Sequence, residues 1–198
     1  MKHIAIFASG NGSNAENIIT FFQENPGLAE VSLVICNKPE AGVIARATRL
    51  GVPVKVLPAA EIRNPEIILP SLEEHSIDMI VLAGFLLMIP SFITEKYEGH
   101  IVNIHPSLLP AYGGKGMYGR YVHEAVIAAG EKKTGITIHA VTEKYDEGAI
   151  IFQASIDVLP DDTPATLEAR IHNLEREHFP RIIAGLINNT IKNFSHEK

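Results

Sequence analysis

A chain of 198 residues, 46% apolar and 20% charged, can bury a core of its own and fits one compact domain spanning 1–198. Its formal charge of -6, with no block of Lys and Arg, argues against nucleic acid or an anionic membrane surface as partner, while a small anion held by backbone groups stays possible. The single cysteine, Cys36, rules out an internal disulfide; the apolar start is too short for a signal peptide and no run reaches a membrane span, so a cytoplasmic protein is expected.

Residues 2–8 read as a β-branched, apolar strand buried on both faces of a parallel sheet. The strand runs into Ser9-Gly10-Asn11-Gly12-Ser13-Asn14, after which 15–22 carries apolar residues at helical spacing. Strand, Gly-rich turn and helix start together point backbone N–H groups and the positive helix end at an anion. No Gly-Lys-Ser/Thr follows, only two glycines of the dinucleotide pattern are present, and the second strand, 30–36, ends in Asn37 and Lys38 instead of a ribose-holding acid. What is left is a phosphate-binding turn of another kind, or a plain tight turn with Ser13 or Asn14 as helix cap. Cys36, at that strand end, reads as a small buried hydrophobe.

The pattern continues with a helix over 41–50, a short strand over 54–57 and one exposed helix over 61–75. A strand near 79–83 precedes the apolar run 85–89, which is either core or the wall of a pocket for a flat ring. A helix over 90–97 leads to a strand that ends in Asn103-Ile-His105-Pro106. The Gly-rich stretch 111–119 is a lid or a linker into a helix over 120–130. Alternating strands 134–141 and 149–158 form a hairpin whose long connection carries Asp146, and Thr163 or Asp162 caps a last helix over 164–188. The fold expected is a Rossmann-like, open, mostly parallel α/β sheet with helices on both faces and an antiparallel hairpin toward the C-terminus.

Asn103 and His105 stand at a strand's carboxyl end, where ligands of such sheets gather. An amide and an imidazole suit a reaction that builds negative charge on a carbonyl oxygen. Asp146 beside the ring is expected to raise the His105 pKa and favour imidazolium, and also to accept a proton from an attacking amine. A capping Asn and a backbone-bonded His would be the purely structural alternative. Nine histidines invite a zinc reading, yet no His-Glu-x-x-His or paired-Cys spacing exists, and the Gly-x-Ser-x-Gly elbow is absent, so no metal is expected.

Gly10-Asn11-Gly12-Ser13-Asn14, Leu82-Ala83-Gly84-Phe85, the run from Asn103 to Pro110 and Asp146-Glu147-Gly148 together resemble the phosphoribosylglycinamide formyltransferases, over nearly the whole chain and in order. The resemblance implies that the amine of glycinamide ribonucleotide attacks the formyl carbon of 10-formyltetrahydrofolate, the cosubstrate, in purine synthesis. Asn103 and His105 would stabilise the oxyanion, and Asp146 would orient His105 and assist proton transfer. Gly12, Ser13 and Asn14 would hold the phosphate, with Glu175 and His172 contacting the ribonucleotide from the last helix. Leu87, Met88 and Ile89 would offer backbone to the pterin, while Val141, Thr142, Glu143 and Asp146 close over it. The phosphate would then belong to a half spanning about 1–100 and folate and catalysis to about 101–198, in a monomer or weak homodimer.

Two departures stand out: relatives often carry Arg where Leu87 stands, and the 113–119 segment is longer, so contacts of Lys115 or Met117 do not carry over. Methionyl-tRNA formyltransferase shares the central motif but calls for a further RNA-binding domain and a basic surface. Formyltetrahydrofolate hydrolase calls for an N-terminal regulatory domain. A nonenzymatic nucleotide-binding module would leave Asn103, His105 and Asp146 without a role.

Overall fold

The computed structural model describes residues 1–191. Its seven-stranded sheet has the order β3-β2-β1-β4-β5-β6-β7, made by β1 (Lys2–Ala8), β2 (Ala29–Cys36), β3 (Val54–Val56), β4 (Met79–Leu82), β5 (Ile101–His105), β6 (Lys133–Ala140) and β7 (Ile150–Asp157). The first five strands pair in parallel and the last two add antiparallel, as the alternating hairpin pattern requires. Central β1 shows why its sequence is apolar at every position. Ile4, Ile6 and Ala8 join the core under α1 (Ser13–Glu24), α2 (Gly42–Arg49) and α7 (Pro164–Ile187), while Ala5 and Phe7 face α4 (Pro65–Glu74) and α5 (Ser91–Lys96) on the other side.

The single helix expected over 61–75 is two: α3 (Ala59–Ile62) and α4. Proline disfavours helical backbone in the residue before it, so the chain breaks at Asn64, whose side chain accepts from the Glu66 N–H at 3.0 Å as an N-cap. Residues 85–89 both pack on the core and line a cavity. Phe85, Leu87 and Ile89 pack inward, with Phe85 edge-on to Phe7, and Leu86 and Met88 are exposed.

Gly12 ends the turn after β1 as the N-cap of α1, with φ 81° and no side-chain cap bond, so neither Ser13 nor Asn14 caps the helix as the alternative reading of the turn had it. A Cβ there would lie 2.5 Å from the Val43 Cα. Left-handed backbone and steric overlap combine, so Gly12→Ala is expected to lower unfolding free energy by about 2 kcal/mol or more in a urea titration. An unchanged midpoint would contradict this.

Candidate active site

Beyond the carboxyl ends of β1 and β4, at the switch point of the sheet, lies a cavity of about 710 Å³. Asn103, His105, Asp146, Gly12, Ser13, Asn14, His172, Glu175, Leu87, Met88, Ile89, Val141 and Thr142 all line it. Glu143 does not: its side chain turns to solvent. The walls come from both halves of the chain, with Leu87 to Ile89 from the first and His172 and Glu175 from the second.

Period-two geometry puts Asn103 and His105 on the same face of β5, and antiparallel pairing sets His139 of β6 directly opposite Asn103. His139 Nδ1 lies 2.8 Å from the Ala140 carbonyl, which can only accept, so its proton sits on Nδ1. Nε2 is therefore an acceptor and takes an N–H from the Asn103 amide at 3.0 Å. That bond fixes which end of the amide is nitrogen and leaves its second N–H unused by His139.

The turn after β5 is fastened from below. Thr137 donates to the Ser107 carbonyl at 2.7 Å and accepts from the Leu109 N–H at 2.9 Å and from Gln153 at 2.8 Å. The 141–149 connection folds back so that Asp146 stands between two rings, its oxygens each 3.5 Å from a nitrogen, His105 Nδ1 and His139 Nε2. Gly114 of the Gly-rich segment donates its N–H to the same carboxylate at 2.9 Å, tying that segment to the site. Burial, the largest single influence, opposes ionisation of Asp146. Contact with the His139 and His105 rings, each acting when it is protonated, and the Gly114 N–H together outweigh it and hold the carboxyl below its usual range.

For His105 the balance goes the other way. Its Nε2 lies 2.8 Å from the Tyr112 carbonyl and so carries the proton. Burial of the ring, only 4% exposed, outweighs the pull of Asp146 and this carbonyl and lowers the pKa from its ordinary 6.5. Desolvation thus pushes the pKa the opposite way from the raised value expected from the sequence and favours the neutral ring, whose Nδ1 faces Asp146.

At the far end of the cavity Asn14 donates to Glu175 at 2.9 Å, joining the glycine turn to α7, and Glu175 also takes His172 Nδ1 at 2.8 Å. That bond is the main cause of a raised His172 pKa. A raised folded value stabilises fully below the unfolded pKa, about 6.5, and the contribution is lost as pH rises through the folded one. His172→Gln is therefore expected to lose more stability at pH 6 than at pH 8.5. The difference should stay under about 1 kcal/mol, since 45% of the side chain is in solvent. Equal losses in chemical denaturation at the two pH values would contradict it.

Two cavity histidines, His123 and His139, fall outside the set singled out from the sequence. His139 left a signal there: with Thr137 it makes a polar stripe between the isoleucines of β6.

A formyl transferase family model matches residues 2–183. Phosphoribosylglycinamide formyltransferase of Bacillus subtilis is 40% identical over 191 residues, 94% of this chain and 95% of that protein. The chloroplastic phosphoribosylglycinamide formyltransferase of Arabidopsis thaliana is 36% identical over 96% of this chain, which spans 67% of that longer protein. The crystal structure of phosphoribosylglycinamide formyltransferase from Bacillus halodurans superposes with a TM-score of 0.86 at 37% identity, covering 99% of this chain and all of that one.

Proposed function

This chain belongs to the formyl transferase family, and on that premise we propose that it moves the formyl group of 10-formyltetrahydrofolate to the amine of 5'-phosphoribosylglycinamide in purine synthesis. Full-length relatives bear the name of that activity. The observation that carries the reading is Asp146 standing between His105 and His139, with Asn103 tied to His139, in a cavity that reaches the amino end of α1.

In this reading Gly12, Ser13 and Asn14 hold the phosphate with backbone N–H groups and the helix dipole. Glu175 and His172 meet the ribose, and the backbone of Leu87, Met88 and Ile89 meets the pterin, with Val141 and Thr142 over it. The amine attacks the formyl carbon; a C–N bond forms and the carbonyl electrons move to oxygen. The spare N–H of Asn103 donates to that oxyanion. Asp146 accepts the proton released by the amine and passes it to the bare Nδ1 of His105, which becomes the second donor. Collapse breaks the bond to folate N10, and the proton leaves with that nitrogen. His139 acts through Asn103 and is a positioning residue. We read the enzyme as cytoplasmic, with two small-molecule substrates, no nucleic-acid or membrane partner, and a monomer or weak homodimer as the working form.

Incubating the purified chain with both substrates and following loss of the folate's formyl group by absorbance tests this. Transfer should require the ribonucleotide; formate release without an acceptor would overturn the reading in favour of hydrolysis.

A further inference from the structure

Helix α6 (Arg120–Ala128) follows the Gly-rich segment and buries one face, Val122, His123 and Val126. The two valines pack with Leu167 of α7, as an amphipathic helix should. Between them His123 is 1% exposed, and its Nδ1 has no hydrogen-bond partner among the described residues. Other buried rings of this chain found one: His105 and His139 each bond a backbone carbonyl at 2.8 Å. An unsatisfied buried nitrogen calls for an explanation, and here the ring also forms part of the cavity wall.

The charges of Glu168, Glu175, His172 and His105 act on His123, and all four residues line the same cavity as it does. Carboxylates repel a phosphate but accept from hydroxyl and amide N–H groups. Burial pushes the His123 pKa below the ordinary imidazole value and so favours the neutral ring, which has one donor and one acceptor. A half-turn about Cβ–Cγ exchanges Nδ1 with Cδ2 in the same plane, so the ring can aim a nitrogen at whatever is bound.

We propose that His123 is a specificity residue for the acceptor substrate, hydrogen-bonding the uncharged stretch of the ribonucleotide between its phosphate and its amine. The inference rests on the function proposed above and extends it to a residue outside the central motif. His123→Phe keeps a ring of similar breadth and removes both nitrogens; His123→Gln restores a polar atom near the place of Nε2.

The test is steady-state kinetics with each substrate varied in turn. The Phe variant should raise KM for the ribonucleotide about tenfold or more, leave KM for 10-formyltetrahydrofolate within about twofold, and keep its melting temperature; Gln should recover part of the loss. An unchanged ribonucleotide KM in Phe, or equal rises in both KM values, overturns the proposal. If Phe does not fold, His123→Leu, which also lacks any polar atom, decides: a ribonucleotide-selective rise in KM supports the contact, and no rise overturns it. A wild-type chain that transfers no formyl group sinks the proposed function itself, whereas normal wild-type turnover with an indifferent His123 sinks only this inference.

Discussion

Asp146→Asn should fold as the parent does and lose about a thousandfold in kcat for formyl transfer. The amide is nearly isosteric and can still accept the Gly114 N–H that the carboxylate takes at 2.9 Å, so the Gly-rich segment keeps its anchor. What it cannot do is hold a proton. The neighbours of Asp146 keep it ionised, so at neutral pH it is ready to accept one from an ammonium formed by amine attack. The same depression has a stability consequence. A folded pKa below the unfolded value of about 3.9 contributes stability above that value, and the contribution is lost as pH falls through the folded pKa. The Asn variant should therefore unfold less steeply with acid. Stopped assays with circular dichroism on the same sample check both parts; a variant with more than a tenth of parental kcat would remove Asp146 from the chemistry.

Asn103→Ala carries the second large effect, a loss of about 3 kcal/mol in transition-state stabilisation, or roughly a hundredfold in kcat/KM. Loss of an oxyanion donor should appear mostly in kcat, because the charge exists only at the transition state. The truncation also leaves His139 Nε2 without the N–H it accepts at 3.0 Å. His139→Phe should therefore reproduce part of the loss while touching no substrate. A change confined to KM in Asn103→Ala would mean that the amide binds substrate and does not stabilise charge.

The strands were readable because burial on two faces leaves long apolar runs, as in Ile4 to Ala8, and because the hairpin alternates. Asn103 and His105 were readable for a related reason: polar residues at the end of such a run have few structural explanations. The break at Asn64 was legible in Pro65 and was outweighed by the helical periodicity around it. The direction in which the His105 pKa shifts was not legible. It depends on how completely the ring is desolvated, which neither the residue type nor a nearby Asp reveals, and burial defeated the Coulombic argument. Glu143 shared a sequence stretch with Asp146, but the connection turns its side chain outward. His123 stayed hidden because its helical position predicts core, and only coordinates show that its Nδ1 lacks a partner.

At the centre of the account, groups from β5 and from the 141–149 connection handle one proton together. A double-mutant cycle on kcat/KM with His105→Gln, Asp146→Asn and the pair measures that directly. If the imidazole and the carboxylate act as a unit, the double variant should be about as slow as the slower single one. Losses that simply multiply, with no coupling between the two positions, would contradict the account.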